Sequence, residues 1–103
     1  MMTFEIRLKV GFFKTQVYYL TVGYGQIIMT PQDNDGNDRV VINKDELQSV
    51  SLMSRNWGSA ELEIVTLNNI YIGSLAAQTD LKKLAGNLDR EFGAKFVFQR
   101  GNI

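Results

Sequence analysis

One stretch near the C-terminus, residues 80–92 (DLKKLAGNLDREF), sets the architecture that the rest of the chain must complete. Its apolar residues recur at helical spacing and share one stripe roughly 100° wide, the face that a helix buries against a sheet. Asp80 stands where an N-terminal cap is expected, and Gly93 stands where helices commonly end with a positive φ. The stretch predicts one amphipathic helix, buried through Leu81, Leu84, Ala85, Leu88 and Phe92.

The chain before this helix is predicted to consist of β-strands and turns. Phe4, Ile6, Leu8 and Val10 alternate with charged residues, as in a strand with one buried face. Turn-forming stretches follow, the clearest being 31–38 (PQDNDGND). The regular spacing favours an antiparallel barrel or sandwich over a parallel α/β sheet. Besides 4–10, strands are predicted over 17–22, 26–30, 39–43, 47–53, 60–66 and 69–73.

The tail beyond the helix offers one more short strand, with Phe96 and Phe98 on the same face. This tail can return to cover an edge strand, or it can present its edge and both rings to another subunit. We favour the second interpretation, self-association. Gly86 interrupts the helix at a cost of about 1 kcal/mol relative to alanine. We therefore expect another segment to approach it closely, and the Phe96–Phe98 tail is the nearest candidate.

Length and composition narrow the function classes. The 103 residues fit one domain (1–103), with a core over about 3–93 and a tail over 94–103. Lysine plus arginine equal aspartate plus glutamate, 11 against 11, so a nucleic-acid partner is not expected. Cysteine and histidine are absent, which removes thiol chemistry, the commonest general base and the commonest metal ligand. No apolar run approaches the ~20 residues of a membrane span, and a cytoplasmic location is expected.

Four segments carry a resemblance to a known fold family: YYLTVGYGQIIMTP, KDELQSVSL, ELEIVTLNNIYIGSL and TDLKKLAGNLDREFG. Their order resembles that of the pleckstrin-homology-like (PH/GRAM-like) superfamily, in particular small bacterial members. The resemblance implies a mainly β fold, with seven antiparallel strands in two nearly orthogonal sheets. One C-terminal α-helix over about 80–92 would cap these sheets, followed here by the short strand of the tail.

The resemblance also implies a binding role, since members of this superfamily bind phosphoinositides, peptides or proteins. Lys9 and Lys14 match two basic positions of the lipid-binding motif, but Gln16 stands where an arginine is required. The three aspartates of the 31–38 loop would repel an anionic headgroup on the same rim. Classic phosphoinositide binding is therefore not our first expectation.

Two loops contain side chains suited to contact with a partner or a membrane. Phe12 and Phe13 lie between Lys9 and Lys14, so this loop can enter a membrane interface or contact a protein, or a ring can fold into the barrel. Trp57 with Arg55 forms a pair typical of binding hot spots, although Trp57 can also pack against the sheet. The candidate contact residues are thus Lys9, Phe12, Phe13, Lys14, Arg55 and Trp57.

No set of residues indicates chemistry. The DNDGND segment resembles a calcium loop, but Pro31 and Ile42 occupy positions that need acidic ligands. Glu61 and Glu63 share a strand face that is expected to face solvent. We therefore expect no catalytic residue, metal or cofactor. The sequence predicts a non-enzymatic module that binds proteins and self-associates, with peripheral membrane binding through Gly11–Lys14 as the alternative.

Overall fold

The computed structural model describes residues 2–10, 14–32, 39–54 and 59–100. Phe12, Phe13, Arg55 and Trp57 lie outside these ranges, as do the three aspartates of the predicted 31–38 loop. The seven predicted strands and the helix are all present, with strand ends displaced by about two residues or fewer. The strands are β1 (Met2–Lys9), β2 (Thr15–Gly23), β3 (Gln26–Pro31), β4 (Val40–Asn43), β5 (Leu47–Ser54), β6 (Ala60–Thr66), β7 (Ile70–Leu75) and β8 (Phe96–Arg100). The helix α1 (Leu81–Phe92) and a short 3-10 turn (Gly93–Lys95) precede β8.

The strands form one hydrogen-bonded sheet in the order β4-β3-β2-β1-β7-β6-β5-β8. Strands β1 to β7 pair antiparallel throughout, whereas β8 runs parallel to β5. The two predicted sheets are therefore joined, and the seam between them is the β1–β7 pairing, which has only three residue pairs. The fold is the predicted one, a PH-like β-sandwich completed by a C-terminal helix.

Alternation along the strands explains the core. Inward residues of β2 and β6, such as Leu20, Val22, Leu62 and Ile64, are at most 1% exposed, while their sequence neighbours face outward. The prediction that the β1 alternation continues to Val10 is wrong, because β1 ends at Lys9 and Val10 is 46% exposed. The remaining buried apolar residues come from every strand from β1 to β7 and from α1.

Gly73 belongs to the seam between the two halves of the sheet. It pairs with Leu8 of β1 and with Leu62 of β6. A Cβ at this position would lie 2.7 Å from Ile6 Cγ1 and 2.8 Å from Leu8 Cδ2. The missing side chain therefore leaves the space that Ile6 and Leu8 fill, which is why this inward strand position is glycine.

The helix begins and ends as its sequence predicts. The Asp80 carboxylate accepts a hydrogen bond from the Lys83 N–H at 3.1 Å, so Asp80 is the N-cap. Gly93 has φ 55° and ψ −120°, a conformation open to glycine and strained for other residues. The face packed on the sheet includes Leu84, Leu88 and Phe92, each at most 2% exposed. In the described part of the chain, no helix is long and apolar enough to cross a membrane.

Polar contacts fix the C-terminal half of α1 to the β2–β3 hairpin. Asn87, only 2% exposed, donates from Nδ2 to the Val22 carbonyl at 3.3 Å. The Gly25 N–H donates to Glu91 Oε1 at 2.8 Å. In the hairpin turn, Tyr24 and Gly25 both have positive φ, as in type I′ turns. The helix thus holds a turn whose first residue, Tyr24, is an unusual choice for that conformation.

The tail takes one of the two courses that the sequence left open. β8 covers the edge of β5, where Phe96 pairs with Val50 and Phe98 pairs with Leu52. The expected close approach at Gly86 is wrong. Gly86 is exposed, and a Cβ built there meets no atom of the described residues within 4 Å. The glycine is therefore not required by packing against the tail.

Candidate protein-binding surface

The structure brings the two lysines of the predicted contact loop together. Lys9 ends β1 and pairs with Thr15, and the Val10 N–H donates to the Lys14 carbonyl at 3.0 Å. Both lysines are exposed. Lys9 also lines a hollow of about 240 Å³ on the outer face of the sheet, together with Glu61 and Glu63. The carboxylates of Glu61 and Glu63 therefore line the same hollow as Lys9, one of the two basic residues predicted for the contact loop.

The two phenylalanines of the tail lie on the same face, as predicted, but differ in burial. Phe96 packs against the core as a partly buried residue. Phe98 is 45% exposed, and Val97 on the opposite face of β8 is 42% exposed. Among the described residues, β8 pairs only with β5. The outer edge of β8 thus carries exposed apolar side chains on both faces.

A larger apolar group lies where the sequence was interpreted only as a turn. Leu67 lies in the β6–β7 turn and Ile70 directly follows it, and these side chains are 71% and 63% exposed. Val41 on the nearby edge strand β4 is 43% exposed. Val41 and Leu67 line one hollow of about 230 Å³, and Leu67 and Ile70 line a second of about 510 Å³. We call these three residues and the two hollows the Leu67 surface.

The turn that carries Leu67 is fixed by its own hydrogen bonds. The Thr66 N–H donates to the Asn69 carbonyl at 2.9 Å, and the Asn69 N–H donates to Thr66 Oγ1 at 3.0 Å. Thr66 Oγ1 also donates to the Asn69 carbonyl at 3.2 Å. The turn therefore holds Leu67 in a defined position as a ridge between the two hollows.

The two hollows share the β6–β7 turn and differ in their other lining residues. The smaller one runs along β4 and reaches the partly buried side chains of Val40 and Tyr71, with Glu46 at its rim. The larger one is lined by Gln48, Val65 and the turn itself. Apolar side chains between polar rims are typical of surfaces that bind other proteins.

Sequence reasoning missed this surface because it assigned LNN to a turn and stopped there. The available signal was the leucine itself, since turn positions favour residues such as Asn68 and Asn69. Leu67 is not a residue type that stabilises a turn, so its presence there needs another explanation. The hollow beside β4 was not detectable, because it depends on how β4 lies against the β6–β7 turn.

The described residues contain no group of three or more acidic side chains that could hold a metal ion. The predicted pair Glu61 and Glu63 lies on the outer face of β6, and Glu61 is partly buried.

Comparison with known proteins gives the fold. No family model matches the chain, and no curated protein matches its sequence. A chain in the solved structure of the Spt16D Pob3N heterodimer superposes with a TM-score of 0.68 at 10% sequence identity. The match covers 99% of this chain and 56% of the other, so this chain spans about half the length of its structural neighbour. At this identity the likeness shows the fold alone, and that fold is PH-like.

Proposed function

We propose that this chain is a non-enzymatic interaction module that binds a protein partner through the Leu67 surface. The observation that carries the proposal is the exposure of Leu67 and Ile70, at 71% and 63%, on a turn with fixed geometry. Single exposed apolar residues need no explanation, but a contiguous group beside hollows marks a contact site. The structural neighbour is a chain in the structure of a heterodimer, so this fold occurs within a protein assembly.

The non-enzymatic part of the proposal rests on the sequence. A chain without histidine or cysteine lacks the side chains that most often act as general base or thiol nucleophile. The contact part rests on the geometry of the Leu67 surface. Binding assays therefore test the contact part, and a catalytic activity of the purified chain would contradict the non-enzymatic part.

A double variant tests the surface directly. We expect Leu67→Glu/Ile70→Glu to fold normally, because both side chains are exposed, and to lose proteins that the wild-type chain retains from a lysate of its source cell. Tyr24→Asn is the matched control, since Tyr24 is 83% exposed on a different turn. Equal retention by the double variant would overturn the proposal, and so would retention of nothing by the wild-type chain.

Self-association through β8 is the second part of the proposal. The observation that favours it is the exposure of Val97 and Phe98 on an edge strand, since unpaired edges can pair with another chain. Light scattering over a hundredfold range of protein concentration, on the order of micromolar, should show a molar mass that rises with concentration. The Phe98→Asp variant should show a lower molar mass at the same concentrations. A constant monomer mass would remove this part and leave the Leu67 surface untouched.

Membrane binding through Gly11–Lys14 stays the alternative prediction. Sedimentation with anionic vesicles tests it, with Phe12→Ala/Phe13→Ala as the variant. If the wild-type chain sediments and the variant does not, the alternative replaces the protein-binding proposal.

A further inference from the structure

The free edge of β4 has a definite hydrogen-bonding pattern. The Lys44 N–H donates to the Gly25 carbonyl at 2.9 Å. This bond flanks Gln26 and Asn43, which therefore form a non-hydrogen-bonded pair of the β3–β4 ladder. Because bonded and non-bonded pairs alternate, Val41 must also direct its N–H and C=O away from β3. No hydrogen bond joins these two groups to another described residue.

The next outward-facing residue of β4 is already satisfied within the chain. Glu46 Oε1 accepts a hydrogen bond from the Asn43 N–H at 3.2 Å, and the Glu46 N–H donates to the Asn43 carbonyl at 3.0 Å. In the described part of β4, the unsatisfied pair therefore belongs to Val41. This pair lies beside the smaller hollow of the Leu67 surface, which Val40, Val41 and Ile42 all line.

The smaller hollow is large enough for a side chain. Its volume is about 230 Å³, whereas an enclosed cavity of ~150 Å³ already admits benzene. Val40, Leu67 and Tyr71 supply apolar parts of its lining, and Glu46, Asn68 and Asn69 supply polar groups around it. A strand laid beside β4 would direct alternate side chains to one face, and such a side chain would fit here.

Charge gives the hollow a preference among partners. Among the described residues that line it, Glu46 is the only formally charged side chain. Its Oε1 atom is held by the Asn43 N–H and by Asn43 Nδ2 at 2.9 Å, which fixes the carboxylate at the rim. No described residue bonds to Oε2. A cationic side chain of a partner would find a preplaced carboxylate oxygen at this position.

We infer that the partner is an extended protein segment that adds to β4 as a further strand. Its backbone pairs with the N–H and C=O of Val41, an apolar side chain fills the smaller hollow, and a lysine or arginine contacts Glu46. This inference rests on the proposed function, because it specifies the chemistry of the segment that the Leu67 surface binds.

The probe is a phage-displayed library of random twelve-residue peptides selected on the full chain. We expect enriched peptides to combine alternating apolar residues with one basic residue. A synthetic enriched peptide is then measured against the variants. Glu46→Gln keeps the acceptor for Asn43 but removes the charge, and we expect about two- to fivefold weaker binding at low salt and no difference at high salt.

Val41→Pro tests the backbone pairing. Because the Val41 N–H points away from β3, proline removes this donor without removing a β3–β4 hydrogen bond. We expect about three- to tenfold weaker peptide binding, whereas Val41→Ala keeps the donor and controls for the lost side chain. A second test needs no protein variant. Single N-methylation along the peptide should weaken binding chiefly at one position, because Val41 offers one free carbonyl to accept one peptide N–H.

The outcomes separate this inference from the proposed function. Peptides that lose binding to Leu67→Glu/Ile70→Glu but tolerate Val41→Pro and N-methylation would overturn the added strand and leave the Leu67 surface as a binding site. Peptides unaffected by the double variant would overturn both. No enrichment, or tighter binding to Glu46→Gln, would overturn the inference.

Discussion

Two glycine-to-alanine substitutions in this chain should have opposite effects on stability. Gly73→Ala places a methyl group 2.7 Å from Ile6 Cγ1 and 2.8 Å from both Ile6 Cδ1 and Leu8 Cδ2. Ile6 and Leu8 are 1% and 4% exposed, so neither can move without displacing the core. Gly86→Ala adds the same methyl group to an exposed helix position where it meets nothing within 4 Å.

The magnitudes follow from the two environments. Overpacking a core costs about 1–3 kcal/mol, and the lower backbone entropy of alanine returns roughly 0.5–1 kcal/mol in a strand. We therefore expect Gly73→Ala to lower the free energy of unfolding by about 1 kcal/mol, and by at most about 2.5 kcal/mol. Gly86→Ala should raise it by about 0.5–1 kcal/mol, since alanine has the higher helix propensity.

Urea denaturation followed by circular dichroism measures both changes under one protocol. Unchanged slopes would show that the variants alter stability without changing the surface that unfolding exposes. The combined Gly73→Ala/Gly86→Ala variant should show the sum of the two stability changes if the two sites are independent. An equal stabilisation by both substitutions would refute the packing argument at the β1–β7 seam. Destabilisation by Gly86→Ala would indicate a neighbour at this helix position after all.

Three further substitutions test the helix and the turn that it holds, each by the same unfolding measurement. Leu88→Ala should cost about 2–5 kcal/mol because the side chain is fully buried, and a loss near zero would mean that this face does not contact the sheet. Asn87→Ala should cost about 0.5–1.5 kcal/mol because the buried hydrogen bond from its side chain to the Val22 carbonyl is lost, and an unchanged stability would contradict that bond. Tyr24→Asn should add about 1 kcal/mol because asparagine tolerates the positive φ of 54° better than tyrosine, and a loss would show that the exposed ring supports the fold.

The sequence allowed much of the fold to be predicted because its signals were local. The alternation of Phe4, Ile6 and Leu8 identified β1, and the spacing of Leu84 and Leu88 identified the buried face of α1. Both patterns depend only on the period of the element and on the burial of one face. Val10 was misassigned because the pattern continues one position beyond the strand.

The pairings that complete the fold were less accessible. The return of the tail to cover an edge strand was one of two courses left open. Neither the strand that it covers, β5, nor the parallel direction was predicted, because an isolated strand does not specify its neighbour. The role of Gly86 was misjudged for a related reason. A glycine signals either close approach or mere tolerance, and only the three-dimensional surroundings distinguish them. Gly73, which does accommodate neighbours, carried no stronger signal in the sequence.

The candidate site was the least predictable feature. Leu67 and Val41 are separated along the chain and line one hollow only after the sheet has folded. The direction of the Val41 N–H depends on the register of β3 against β4, which a short strand does not fix by itself. Tryptophan and phenylalanine drew attention in the sequence because they are large, whereas the Leu67 surface is built from smaller residues.

The most direct test of the central claim is to map amide chemical shifts during titration with a partner or an enriched peptide. We expect the largest changes within Val40–Asn43 and over residues 66–71, with little change at Lys9, Lys14 or the described part of β8. Changes concentrated at Lys9 and Lys14, or at Phe96 and Phe98, would contradict the assignment of binding to the Leu67 surface.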